Sequence, residues 1–180
     1  MIVRAYTPAD LAGVTAIYAE SVLNGTGTFE LDVPTPDQMH ERMQAPANLG
    51  LPVLVAEIEG QVAGYAYAGP YRLRAAYRYL VEDSIYVSAD YRGRGVGLAL
   101  LNALLDACEQ LGMRQMVAVI GDSANTGSIA LHAAAGFEPA GVFKAAGWKF
   151  DDWRDVVFMQ KALGPGATTA PDAEGLDCGR

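Results

Sequence analysis

Arg92-Gly93-Arg94-Gly95-Val96-Gly97 follows a run of strand formers, residues 84–87, and opens a long stretch with apolar residues at helical spacing. Alternating glycines let the backbone turn tightly and bring several N–H groups to one point. The positive end of the following helix adds its partial charge there. The segment therefore reads as an anion cradle between a strand and a helix, and it commits the chain to an α/β fold. The phosphate-loop pattern requires four residues between its glycines and then Gly-Lys-Ser/Thr, which is absent here. A dinucleotide fingerprint started at Gly93 or Gly95 meets Leu98 or Leu100 where its third glycine belongs, and only Asp122, past the next strand, favours it.

A second pattern follows: Asn125-x-x-Ser128-x-x-Leu131-His132-x-x-x-Gly136-Phe137. Asn125, Ser128 and His132 stand at i, i+3 and i+7, so on a helix they share one side. Gly136 is a natural helix stop. Arg92, Gly95 and Gly97 as R-x-x-G-x-G, followed by this second pattern, resemble the two acetyl-CoA signatures of the GNAT N-acetyltransferase superfamily. Residues 66–77, 81–87 and 117–121, with Ala145-Ala146-Gly147-Trp148-Lys149-Phe150-x-x-Trp153, resemble its phosphinothricin and methionine sulfoximine N-acetyltransferase branch. Thr28-Phe29-Glu30 matches that branch's early loop, and the resemblance runs from about Val3 to Leu163.

The resemblance implies an acyl-CoA N-acyltransferase fold: a mixed, mostly antiparallel sheet with a splayed central strand pair, flanked by helices. It implies acetyl-CoA as co-substrate, with the pyrophosphate at Arg92, Gly93, Arg94, Gly95, Val96, Gly97 and Leu98. The pantetheine arm would lie along the main chain of Ile85, Tyr86 and Val87 and against Asn125 and Ser128. A main-chain amide near Tyr86 and Val87 would also serve the oxyanion that develops in acyl transfer.

An ammonium of pKa about 9–10 is mostly protonated at neutral pH, so the reaction needs a base. The branch places a catalytic Glu at Glu82. His132 would then donate a proton to the departing thiolate or orient a water for Glu82, two roles that the residues do not separate. Asp83 alternates to the other strand face and is the weaker base. For an amino-acid acceptor the carboxylate calls for a guanidinium. The branch suggests Arg74 with Tyr77 beside it, Arg72 nearby, and Thr28 and Phe29 closing the far side. Tyr71-Arg72-Leu73-Arg74 departs from many relatives, which carry a Trp and other charge spacings here.

The alternatives are a protein or peptide N-terminal acetyltransferase on the same fold, a non-catalytic acyl-CoA-binding regulator, and a dinucleotide-dependent oxidoreductase. A peptide enzyme needs an open groove without a carboxylate clamp, which the Arg72, Arg74 and Tyr77 cluster argues against. Retention of both Glu82 and His132 argues against the regulator.

With 180 residues the chain suits one domain. A net charge of −8 argues against a nucleic-acid partner, so any anion must be held by local positive potential. Cys108 and Cys178 make no disulfide framework; Cys108 falls in an apolar helical stripe and Cys178 in the tail. No secretory leader or membrane-length apolar run is evident, which points to the cytoplasm. No metal is expected. The resemblance further implies a homodimer, with residues 142–163, including Trp148 and Trp153, available as apolar contact surface.

Along the chain, strands are expected over residues 2–6, 53–57, 60–69, 82–87, 115–120, 142–150 and 156–163. Helices are expected from the Thr7-Pro8 cap to about Ser21, from Thr35-Pro36 to about Gln44 before Pro46, over 95–111, and over 125–135. One domain, residues 1–163, is expected to end in a disordered tail, 164–180, with too few apolar anchors to fold.

Overall fold

Alternation along the strands sends side chains to two faces of one sheet, and each face buries its own core. The computed structural model describes residues 1–177. Its strands are β1 (Ile2–Ala5), β2 (Val53–Ile58), β3 (Gln61–Pro70), β4 (Leu80–Val87), β5 (Gln115–Gly121), β6 (Glu138–Lys149) and β7 (Asp152–Ala162). The helices are α1 (Leu11–Asn24), α2 (Pro36–Asn48), α3 (Val96–Gln110) and α4 (Thr126–Ala134). The sheet order is β1-β2-β3-β4-β5-β7-β6. Every neighbouring pair is antiparallel except β4 with β5, which α3 joins as a crossover.

Val53, Val55 and Tyr65 face one way and pack with Val14, Ile17, Tyr18 and Val22 of α1 and Met39 and Met43 of α2. Ala56, Ala66, Ala68 and Val81 face the other way, onto Leu100, Leu101, Leu104, Leu105 and Cys108 of α3. β4 follows the same alternation: Tyr86 joins the α1/α2 side, whereas Ile85 and Val87 join the α3 side. Burial pushes the Cys108 thiol up to about 12, with the Asp83 charge adding to it, so it is an inert core residue.

One expectation about the elements changes. α2 runs past Pro46 to Asn48, because a proline in the last turn forfeits only its own N–H while its ring is buried and its carbonyl accepts from Leu49 and Leu51 N–H. At its start Thr35 and Gln38 exchange side-chain and backbone hydrogen bonds as a capping box. Described residues of the tail make contacts with the body. The buried Arg114 guanidinium gathers the carbonyls of Gly166, Thr169 and Ala170 with the Thr169 hydroxyl, Tyr79 OH donates to Ala173 O, and Leu176 N–H donates to Arg78 O. Leu176 adds one apolar anchor, buried in the same core as Leu104 and Cys108. Cys178 lies outside the described residues.

One feature of the sheet positions the site. The β4–β5 register stops at Asp83 with Ala118, whereas β3 stays paired to β4 as far as Val87. Beyond Asp83 the two parallel strands fork.

Candidate active site

The fork opens a cleft of about 860 Å³ between β4 and β5, roofed by the start of α3 and by α4. Of the residues expected to hold the donor, Ile85, Tyr86, Val87, Arg92, Gly93, Gly95, Val96, Gly97, Leu98, Asn125 and Ser128 all line it. Of the acceptor and catalytic residues, Thr28, Glu82 and His132 do so too. Between Ser84 and Val87 the β5-facing edge of β4 has no strand partner, so its N–H and C=O groups are presented to the cleft. Gly95 caps α3 with φ 79°, a left-handed backbone that other residues adopt at a cost, and a Cβ built there meets nothing within 4 Å. The approach to the first N–H groups of α3 is therefore open. These features fit an extended chain ending in a pyrophosphate.

Arg92 braces the cradle. Its Nε donates to Val87 O at 3.3 Å and its Nη2 to Glu20 Oε2 of α1 at 2.8 Å. Arg94 lies outside the cleft-lining set, with its guanidinium over the Tyr91 ring at 5.1 Å. Asn125 caps α4, its Oδ1 accepting from Ser128 N–H at 3.2 Å. Gly97 serves close packing: a Cβ there would stand 3.2 Å from Leu131 of α4.

Glu82 and Asp83 sit on opposite faces of β4 at the fork. Burial, and then the neighbouring Asp83 charge, push the Glu82 carboxyl up to about 7. Such a group is divided between acid and base at neutral pH, as a general base there should be. His132 is fully engaged: Nδ1 donates to Ser128 O at 2.8 Å, and Nε2 meets Asp83 Oδ2 at 3.0 Å, with both side chains buried. Burial opposes the charged imidazolium, but the Asp83 hydrogen bond and charge with the Ser128 carbonyl outweigh it, and its pKa is raised. Both ring nitrogens have protein partners in this geometry, which ties α4 to β4. The expected shared side with Asn125 and Ser128 holds, but the ring's partner is across the sheet.

The remaining acceptor candidates are not brought to the cleft. Arg72, Arg74 and Tyr77 lie on the exposed β3–β4 connection, where Arg72 stands over the Tyr71 ring at 5.3 Å and Tyr77 meets Tyr71 edge-on. Phe29 packs instead against Gly121 and Gly147. Conversely, Ser21, Asn24 and Gly25 to Gly27, at and just past the end of α1, line the cleft although neither signature includes them. The paired glycines at 25 and 27 were the available signal.

An unpaired strand edge, an open glycine cradle at a helix start and a carboxylate with a raised pKa at the fork fit an acyl-CoA-dependent acyltransferase. The sequence profile of the Acetyltransferase (GNAT) family matches residues 18–137, and the chain belongs to that family. It is an N-acetyltransferase with acetyl-CoA as co-substrate. Phosphinothricin N-acetyltransferase of Alcaligenes faecalis is 48% identical over 170 residues, covering 94% of this chain and 86% of that protein. The L-methionine sulfoximine/L-methionine sulfone acetyltransferase of Pseudomonas paraeruginosa is 42% identical over 161 residues, covering 87% and 91%. A crystal structure of a phosphinothricin acetyltransferase from Sinorhizobium meliloti in complex with acetyl-CoA matches with a TM-score of 0.92 at 50% identity, covering 94% and 92%.

Proposed function

We propose that this enzyme acetylates the amino group of a small amino-acid-like acceptor of the phosphinothricin, methionine sulfoximine or methionine sulfone type, by direct attack in a ternary complex. Glu82 carries the reading: it is a carboxylate raised to about 7, placed where β4 and β5 part. Acetyl-CoA supplies the activated acyl group. The β4 edge from Ile85 to Val87 orients its arm through main-chain hydrogen bonds, and the cradle from Arg92 to Leu98, with Arg94 at its rim, neutralises its phosphates. Glu82 Oε takes the acceptor's ammonium proton, directly or through one water; the freed amine pair attacks the thioester carbon, the C–S bond breaks, and the departing CoA thiolate takes the proton that the new amide nitrogen sheds. The Asp83–His132 pair keeps α4, with Asn125 and Ser128, against the fork.

Arg74, with Arg72 and Tyr77, receives the acceptor carboxylate from the rim, since their connection enters β4 just before Glu82. Residues 1–163 act as one catalytic domain in the cytoplasm. The working unit is a homodimer, supported by Val142, Phe143, Trp148, Phe150 and Trp153, all exposed on the β6–β7 hairpin at the sheet edge.

The deciding experiment is thiol release from acetyl-CoA across an amine panel. Phosphinothricin, methionine sulfoximine and methionine sulfone should be turned over, and matched amines lacking the carboxylate should not. Equal turnover of both sets would refute the amino-acid reading.

A further inference from the structure

Lys149 is the last residue of β6, and the turn that follows it passes through Phe150 and Asp151 at φ 55° and 54°. Its side chain runs inward and is 3% exposed. A buried ammonium is costly, and burial lowers its pKa while the Glu30 charge only partly restores it. A methionine, one atom shorter, would fill most of the same space without that cost. What the ammonium adds is one strong contact: Nζ donates to the main-chain carbonyl of Thr28 at 2.8 Å, across 121 residues of sequence.

Thr28 belongs to the segment 25–29, most of which walls the cleft that Glu82 also lines. This loop has no strand or helix of its own; its main chain is tied at Gly25, whose N–H reaches Ser21 O, and at Glu30, whose N–H reaches Thr28 Oγ1. Its position is set from outside. Tyr18 OH pairs with Thr28 Oγ1 at 2.9 Å. Gly147, two residues before Lys149, gives the Phe29 ring room: a Cβ there would stand 2.5 Å from Phe29 Cδ2. Gly121 at the end of β5 does the same for the Thr26 carbonyl, which a Cβ would strike. Three separate features of the hairpin and β5 therefore seat one loop, and Lys149 supplies the charged one.

We propose that Lys149 is a positioning residue for the acceptor side: by holding the Thr28 carbonyl it pre-forms the loop wall and so sets acceptor affinity, while the cradle is left untouched. An unanchored wall must be ordered when the acceptor binds, and that ordering is subtracted from affinity. The inference rests on the acetyltransferase reading of the cleft, and its test includes a readout that needs no turnover.

Lys149→Met should raise the acceptor KM about tenfold or more, with the acetyl-CoA KM within about twofold of wild type, as expected for lost pre-organisation. Lys149→Arg, which keeps a charged donor, should recover most of the loss. Gly147→Ala should reproduce the defect by displacing Phe29, and it serves if the methionine variant does not fold. Amide exchange of a peptide spanning 25–30 should be faster in Lys149→Met and Gly147→Ala than in wild type, without any substrate present. An unchanged acceptor KM, a parallel rise in the acetyl-CoA KM, or unchanged loop exchange would each overturn the proposal. If the wild type turns over none of the amino-acid analogues, the acceptor assignment fails, and the exchange comparison still decides whether Lys149 anchors the loop.

Discussion

At Glu82 burial and the neighbouring Asp83 charge raise the carboxyl pKa to about 7, and the proposed role of general base draws on that shift. Its ionised form is disfavoured in the fold, so kcat/KM should rise with pH along an acid limb centred near 7 and level off above it. Glu82→Gln should remove that limb and lower turnover about 10²-fold or more, with acetyl-CoA affinity unchanged. Stability supplies an independent check. A carboxyl whose folded pKa exceeds its unfolded value of about 4.3 destabilises the fold increasingly as pH rises from there to the folded value, and fully beyond it. Glu82→Gln should therefore melt with the wild type near pH 4 and above it at pH 8, by about 2–4 °C for each kcal/mol regained. A melting gap independent of pH would show that the carboxylate is not strained.

Asp83 acts on both neighbours, because it raises the Glu82 pKa and holds His132. Asp83→Asn should move the acid limb to lower pH, though not to the unperturbed value, since burial is the larger cause. It should also destabilise the protein by up to about 3–5 kcal/mol, the cost of removing one partner from a buried pair. His132 is raised in the fold, so the pair's contribution is complete below the unfolded His pKa of about 6.5 and fades as pH climbs through the folded value. The stability gap between Asp83→Asn and wild type should thus narrow at alkaline pH. A limb that stays put in Asp83→Asn would separate the two carboxylates.

At the level of elements, the forked strand pair and the helix behind it form the working part. Gly95→Val places a β-branched residue at φ 79° and over the first N–H groups of α3. It should weaken acetyl-CoA binding severely, by isothermal titration, while the acceptor KM at saturating donor changes little. Unchanged donor affinity in the folded variant would remove the cradle from the donor site.

Much of this part was legible in the chain. The strand–glycine–helix layout, the helix that starts at Asn125 and the alternation that parts Glu82 from Asp83 are local patterns, and the structure has them, while the splayed pair was implied by the family resemblance alone. What local patterning missed depends on contacts distant in sequence. The fate of the His132 ring is decided by Asp83, 49 residues earlier, and the burial of Lys149 by a carbonyl 121 residues away. Pro46 inside α2 was misjudged for a different reason: a proline's penalty depends on how many turns follow it, which the motif does not state. The arginines at 72 and 74 came from charge logic together with the resemblance, and they stand on an exposed connection outside the cleft lining, where no packing fixes the direction of a side chain.

Across the whole molecule, a net charge of −8 surrounds a cleft built for a polyanion. Attraction is therefore short-ranged, and recognition rests on oriented N–H groups more than on long-range steering. Residues 166–176, tied by Arg114, Arg78 and Tyr79, lie against the entrance to β4 and so brace the strand that bears Glu82.

The fork has one more consequence. A strand edge that takes its hydrogen bonds from a metabolite makes the durability of the fold a function of that metabolite's concentration. Acetyl-CoA at about 100 times its Kd should add about 2.7 kcal/mol and raise the melting temperature by about 5–10 °C. Desulfo-CoA, which keeps the arm and the phosphates but cannot react, should do the same, whereas acetate should do nothing. In a cell running short of acyl donor, the enzyme would then be the more easily unfolded and degraded, so that its abundance follows the supply of the compound it spends.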